Sequence, residues 1–230
     1  MNKKLIPLAV CTAIFVSPVM ANEESTPIDK FGYNSAELSY SMIEIDSIKL
    51  GKAVSVYGSR TIDDSFYAHG GVKILNVDES ELPFQSQSSS TSEFNALTAG
   101  VGYRVTPVDI DGNRKEDLSL FTELSLTRTS IDIDALHQND AGISLSGGLR
   151  AEMNEYLGLT TKFTISEYND AGTSTAFSGS FDYFPQENFS VGLSYRFFTI
   201  DTPELIASHN KDSDDSVSGS ELGINARFHF

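Results

Sequence analysis

Cysteine is nearly absent from this chain of 230 residues, and basic residues are scarce. The single cysteine, Cys11, lies in an N-terminal segment that we expect to be removed, which leaves no thiol for a nucleophile or for a disulfide framework. The chain has 16 Lys and Arg against 32 Asp and Glu, a formal net charge of −16. Nucleic acid is therefore not an expected partner, because binding by counterion release needs clustered Lys and Arg.

The N-terminal segment has the layout of a secretory signal peptide. Two lysines precede an apolar run from Leu5 to Val16, and the segment ends in a small residue, Ala21. The run is shorter than the ~20 apolar residues that a membrane-spanning helix needs. We therefore predict a signal peptide over residues 1–21 and a single mature domain over residues 22–230.

Long apolar runs are also absent from the mature domain, where no stretch reaches the ~18 residues of a membrane helix. Apolar residues alternate with polar ones instead. In residues 189–197 every second residue is Phe, Val, Leu or Tyr, and the residues between them are Ser, Gly or Arg. This period of two predicts strands with one apolar and one polar face. Ten segments fit it, at roughly residues 31–42, 51–62, 65–75, 93–105, 117–128, 140–152, 156–166, 173–184, 189–198 and 218–230.

The connections between these segments alternate in length. On one side they are tight turns at residues 63–64, 153–155 and 185–188, with a somewhat longer one at 106–116. On the other side they are mostly longer and polar, at residues 76–92, 129–139, 167–172 and 199–217, while residues 43–50 extend either neighbouring strand. Alternating short turns and long loops are typical of an up-and-down barrel with one rim facing a confined compartment.

The polar face of the strands distinguishes a soluble sandwich from a membrane barrel. In a sandwich the apolar face points into a core, whereas in a membrane barrel it meets lipid and the polar face lines the interior. The polar face is rich in Ser, Gly and Thr with isolated charges, as expected for a narrow lumen. We predict ten lumen-facing charges, six basic and four acidic, that form an internal network: Glu37, Lys73, Arg104, Glu123, Arg150, Lys162, Asp182, Arg196, Glu221 and Arg227.

The chain ends in an alternating segment whose last residue is aromatic. Its apolar positions are Leu222, Ile224, Ala226, Phe228 and Phe230. Together with the signal peptide, this segment resembles the C-terminal strand of bacterial outer-membrane β-barrel proteins, and in size the chain resembles the small porin-like, opacity and attachment-invasion barrels. The resemblance implies a place in the Gram-negative outer membrane, among lipid and lipopolysaccharide. It also implies that the barrel assembly machinery recognises the last strand.

Motifs for catalysis or metal binding are weak. The four histidines, His69, His137, His209 and His229, form no pair at a spacing of two or four residues. The segment 109–117 has oxygen-bearing side chains at alternate positions but lacks a further ligand that a calcium loop would place before Gly112. We predict no catalytic residue, no cofactor and no metal site.

These observations predict an all-β fold, a closed antiparallel up-and-down transmembrane barrel of about ten strands. An eight-stranded barrel is the alternative if residues 31–62 are misread. The expected function is a non-enzymatic surface, structural or adhesion-type role in the cell envelope, exerted through the extracellular loops on an external ligand or host surface. The alternative is a narrow, low-conductance porin for small solutes or ions, whose selectivity depends on Lys73, Glu123 and Lys162.

Overall fold

The computed structural model describes residues 33–45, 48–77, 92–105, 118–133, 136–170, 172–201 and 216–230. They form ten strands: β1 (Ser35–Ile45), β2 (Ile48–Thr61), β3 (Phe66–Val77), β4 (Ser92–Val105), β5 (Leu118–Ile133), β6 (Leu136–Asn154), β7 (Leu157–Tyr168), β8 (Gly172–Gln186), β9 (Phe189–Asp201) and β10 (Ser216–His229). In this part of the chain no helix is long and apolar enough to cross a membrane. The predicted signal peptide lies outside the described residues, as do 78–91, 106–117 and 202–215.

The strands close into a single up-and-down barrel. Each strand pairs antiparallel with the strands before and after it in sequence, and β10 pairs with β1. The closing ladder runs from Ser35 opposite His229 to Ile45 opposite Gly219, so neither the first nor the last strand leaves an open edge. The ten-stranded prediction is confirmed, and the eight-stranded alternative is wrong.

The short connections predicted at one rim are confirmed, with small shifts in their bounds. Two residues join β6 to β7 and two join β8 to β9, at 155–156 and 187–188. In the β2–β3 turn, Asp63 Oδ1 accepts hydrogen bonds of 2.8 Å from the backbone N–H groups of Ser65 and Phe66. These donors hold the pKa of Asp63 below its ordinary value, because they stabilise the charged carboxylate.

The opposite rim departs from the prediction. We expected residues 129–139 to be an outer loop, but β5 continues to Ile133 and β6 begins at Leu136. The segment is therefore a β-hairpin, because its residues pair in the antiparallel ladder from Thr129 opposite Asp140 to Ile133 opposite Leu136. Residues 43–50 likewise extend both neighbouring strands, with a bulge between Ile43 and Glu44. At 167–172 the connection is short, and Gly172 opens β8 with a φ of 74°, which glycine adopts without strain.

The outer face of the barrel carries a continuous apolar belt. Outward positions along each strand hold large apolar side chains that are exposed, such as Leu145 and Leu193. Charged outward residues occur only near the strand ends of the described residues: Glu44, Lys49, Lys52, Glu93, Arg128, Glu167 and Asp201 toward one rim and Arg60 toward the other. The outward residues of β4 are uncharged from Leu97 to Val105, and this stretch has the length that a tilted strand needs to cross a bilayer, ~9–11 residues.

Aromatic side chains flank this belt. Near the short-turn rim, Phe66 and Tyr103 pack with ring centroids 5.0 Å apart, and Phe228 stacks on Phe230 at 6.4 Å. Near the opposite rim, Tyr195 and Phe197 are exposed. Two bands of exposed aromatic residues around an apolar belt are the arrangement of membrane barrels, where such rings lie at the level of the lipid headgroups.

Candidate functional site

The inner face of the barrel is defined by contacts between strands that are not neighbours. The Tyr67 hydroxyl on β3 donates to Glu123 Oε1 on β5 at 2.9 Å. Lys73 Nζ, also on β3, donates to Glu221 Oε2 on β10 at 2.6 Å. Side chains from separated strands meet only through the barrel interior, so these residues line the lumen. The candidate functional site is this lumen.

All ten charged residues that the sequence predicts for the lumen lie on the same face of their strands as the residues in these contacts. Together they occupy every strand except β2. Seven of them form ion pairs: Arg227 with Glu37 and Asp182, Lys73 with Glu221, and Lys162 with Glu123. Arg104 and Arg150 lie against the ring of Tyr33, and Arg196 lies over Phe198.

One ion cluster lies where the first and last strands meet. Arg227 on β10 donates to Glu37 Oε2 on β1 through Nε at 2.9 Å and Nη2 at 2.6 Å. Its Nη1 donates to Asp182 Oδ2 on β8 at 3.4 Å. The Asp182 side chain is 3% exposed and that of Arg227 12%. A cation so removed from water needs its carboxylate partners, because an unpaired buried charge is strongly unfavourable.

A second cluster fills the opposite side of the lumen around Glu123. Glu123 Oε2 accepts from Lys162 Nζ at 3.3 Å. Beside it, His69 Nδ1 hydrogen-bonds with the Tyr57 hydroxyl at 2.6 Å, and His69 Nε2 with the Ser125 hydroxyl at 3.4 Å. These partners join β2, β3, β5 and β7 into one hydrogen-bonded unit. The sequence pattern predicts Glu123 and Lys162 as lumen charges, but it gives no role to Tyr57, His69 or Ser125.

The short-turn end of the lumen is occupied by Tyr33, the residue two positions before β1. Its side chain is 1% exposed, and its hydroxyl hydrogen-bonds with Ser119 on β5 at 3.4 Å. The Tyr33 ring lies 4.0 Å from the Tyr67 ring, and the Arg150 guanidinium carbon lies 4.4 Å from the Tyr33 centroid. Cation–π and ring contacts therefore hold Tyr33 across the mouth. We refer to Tyr33 with its ring partners Tyr67 and Phe121 as the tyrosine plug.

Glycines at inner positions make room for the aromatic rings of the lumen. A Cβ added to Gly102 would lie 2.1 Å from Cζ of Tyr67, and one added to Gly148 would lie 2.6 Å from Cζ of Phe121. Each ring thus lies over the backbone of the next strand. The sequence shows that glycine alternates with polar residues on the inner face. Only the register between neighbouring strands shows which aromatic ring packs on each glycine.

The opposite end of the lumen is apolar, contrary to the polar lining that the alternation predicts. Ile43, Ala53 and Leu75, at inner positions of β1, β2 and β3, form a buried cluster. Phe94 on β4 and Phe198 on β9 pack against it. The cluster narrows the mouth on one side, while Ser144, Ser166 and Ser174 line the other.

Among the residues that the structure describes, no group of three or more His, Asp or Glu side chains is placed to hold a metal ion. Many polar groups of the lumen instead pair with one another through hydrogen bonds and ion pairs, although Asp182 Oδ1, Asn225 Oδ1 and His229 Nδ1 are buried without a hydrogen bond among the described residues. The arrangement suits an interior that is held rigid by its own charges.

An apolar exterior, aromatic bands and a charged interior together define a membrane-spanning β-barrel, because such a molecule is matched to lipid outside and to polar groups inside. The fold is that of bacterial outer-membrane β-barrel proteins. Of the predicted assembly-signal residues, Leu222, Ile224, Phe228 and Phe230 are exposed on the outer face of β10, at the same parity as Ala226.

Comparisons with solved structures give barrels of this kind. The Neisserial surface protein A matches 85% of this chain and 95% of its own, with 13% identity and a TM-score of 0.39. The KdgM porin matches 84% of this chain and 99% of its own, with 12% identity and a TM-score of 0.39. The attachment invasion locus protein Ail of Yersinia pestis matches 86% of this chain and 100% of its own, with 12% identity and a TM-score of 0.34. No protein-family model matches the chain, and no curated protein matches it.

Proposed function

We propose that the protein is an integral barrel of the bacterial outer membrane, exported by its N-terminal segment, with a closed lumen and a non-enzymatic role at the cell surface. The observation that carries the proposal is the tyrosine plug. Tyr33 reaches from the N-terminal side of β1 to Ser119 on β5 and is almost fully buried. A side chain that spans the short-turn mouth in this way leaves little path for solutes.

The middle of the lumen supports the same proposal. The Arg227 cluster and the Glu123 cluster draw inner side chains from seven of the ten strands into contacts across the interior. Donors and acceptors that pair with one another across the lumen are no longer available to bind water. A lumen filled by its own ion pairs stabilises a barrel but conducts poorly.

The outer end then makes the contacts of the protein with its surroundings. The β5–β6 hairpin is built from the two longest strands, of 16 and 19 residues, longer than the ~9–11 residues needed to cross a bilayer. We infer that this hairpin, with the connections at 78–91 and 202–215, meets an external ligand or host surface. Exposed Arg128 and Lys52 suit contact with lipopolysaccharide phosphates, and the barrel assembly machinery recognises β10.

A conductance measurement tests the closed lumen. We expect the refolded protein to show no discrete current steps in a planar bilayer, and the Tyr33→Ala variant to show brief openings of low conductance, because the plug is lost while Tyr57 and Glu123 still narrow the path. Tyr103→Ala removes the same ring from the outer face and serves as the matched control, expected to be silent. Steady steps from folded wild-type protein would overturn the closed lumen.

A narrow pore is the second candidate, and one observation favours it. The Lys162 side chain retains 35% of its exposure although it lies inside the barrel. The described residues therefore leave water-sized space beside Lys162. If the protein conducts, the charges near Lys162 set its ion selectivity.

For a conducting sample we expect Glu123→Gln to shift selectivity toward anions, because Lys162 then lacks its carboxylate partner. The reversal potential under a potassium chloride gradient measures this shift. Glu44→Gln removes an exposed outward carboxylate and is the control. Equal reversal potentials for the wild type and Glu123→Gln would remove Glu123 from the ion path.

A further inference from the structure

Arg196 is a lumen cation whose charge is not matched by a carboxylate. Within the described residues its guanidinium makes neither a hydrogen bond nor an ion pair. Its guanidinium carbon lies 5.7 Å from the centroid of the Phe198 ring. Stacking on a ring leaves the N–H groups at the guanidinium edge free to donate to a further partner.

The nearest carboxylate is already occupied. Glu221 stands directly opposite Arg196 in the β9–β10 ladder. However, Glu221 Oε1 accepts from the Ser41 hydroxyl at 2.6 Å, and its Oε2 accepts from Lys73 Nζ at 2.6 Å. Both oxygens of Glu221 therefore already have donors on β1 and β3. The register places Glu221 close enough to Arg196 for their charges to interact, but no hydrogen bond or ion pair forms between the two side chains.

A second cation and a hydroxyl lie in the same row. Ser178 on β8 pairs with Lys162 on β7 on one side and with Arg196 on β9 on the other. Lys162 and Arg196 are thus two strand spacings apart, about 10 Å between their Cα atoms. Lys162 is held by Glu123 only through a contact of 3.3 Å and is the more exposed partner of that ion pair. Its flexible side chain can turn toward Ser178.

We propose that Lys162, Ser178 and Arg196 form a binding site for a small oxyanion, a carboxylate or a phosphate. The guanidinium edge of Arg196 donates two parallel hydrogen bonds to two oxygens of the anion. The Lys162 ammonium adds a second positive charge. The Ser178 hydroxyl donates to the Lys162 backbone carbonyl at 3.3 Å in this structure, and it donates to the anion after rotation about its Cα–Cβ bond.

The site goes beyond the proposed surface role. It requires that small solutes enter the lumen as far as Lys162, where the structure leaves accessible space, and it does not require a path through the tyrosine plug. An anion bound there would neutralise Arg196 in a lumen where every described carboxylate already has a donor.

Calorimetric titration of the folded protein in detergent tests the site, with inorganic phosphate in one arm and acetate in the other. We expect saturable binding of at least one anion by the wild type. Arg196→Gln should weaken binding by roughly tenfold or more, as expected for the loss of charge-assisted hydrogen bonds. Arg196→Lys should bind with intermediate affinity, because it keeps the charge and loses the planar fork. The arm with the tighter binding identifies the class of anion.

Arg60→Gln is the matched control, because it removes an exposed outward arginine and the same net charge. It should bind like the wild type. Lys162→Gln supplies a second variant if Arg196→Gln does not show the heat-modifiable gel mobility of a closed barrel. The proposal is overturned if neither anion binds saturably to the wild type, or if the folded lumen variants bind as tightly as Arg60→Gln.

Discussion

Replacing Arg227 with methionine is expected to lower the free energy of unfolding by about 3–5 kcal/mol, the range found when one partner of a buried ion pair is removed. The substitution keeps an unbranched side chain of similar length but leaves Glu37 and Asp182 without their shared cation. Two carboxylates would then face each other in a poorly hydrated interior. Urea unfolding in lipid vesicles, followed by gel mobility, measures the change.

Two comparisons separate the loss of charge pairing from simple loss of volume. Arg60→Met removes an exposed arginine from the outer face and should change stability by no more than about 0.5 kcal/mol. Adding Glu37→Gln and Asp182→Asn to Arg227→Met should restore much of the lost stability, because no unpaired charge then remains. If the triple variant is as unstable as Arg227→Met, the cluster acts through packing and the electrostatic explanation is wrong.

Placing an arginine at Leu145 is expected to destabilise the barrel in a bilayer by about 2–4 kcal/mol, the cost of a basic residue at the membrane midplane of a barrel. Leu145 is an outward residue of β6, 58% exposed, and its ladder neighbours Leu124 and Ile165 are also apolar and exposed. The substitution therefore adds a charge to the middle of the belt. The free energy of unfolding in lipid vesicles is the measurement.

Ile62→Arg provides the matched control for this substitution. Ile62 is 65% exposed and lies in the turn between β2 and β3, beyond the belt. Its replacement should have an effect within about 0.5 kcal/mol. Equal effects of Leu145→Arg and Ile62→Arg would mean that the outer face does not meet hydrocarbon.

The strands were predictable because a period of two is a local signal. A sequence such as 189–197 reports both its conformation and its two faces without reference to any other strand. The same locality explains the error at 129–139, where Thr129, Ser130 and Asp132 are as polar as a loop. A strand that continues beyond the lipid has no apolar face to reveal it, so composition alone does not separate it from a loop.

The lumen was predictable in kind but not in its contacts. The alternation along each strand was enough to predict which charged residues face inward. Their ion-pair partners depend on the register between strands and on distances across the interior. Lys73 meets Glu221 from 148 positions away, a pairing that no local pattern contains. Tyr33 lies within the predicted segment 31–42, but the alternation there does not indicate that its ring lies across the mouth.

The ion pair in the ladder between β1 and β10 also favours one register when the barrel closes. Glu37 and Arg227 stand opposite each other in that ladder, 190 positions apart in the chain. A slip of one residue would turn Arg227 toward lipid, since side chains alternate between the two faces of a strand. A slip of two would set it opposite Ser35 or Ser39 instead of a carboxylate. A β1–β10 ladder with a shifted register would therefore be less stable when the barrel closes. The charges that fill the lumen thus also favour the native register over the shifted ones.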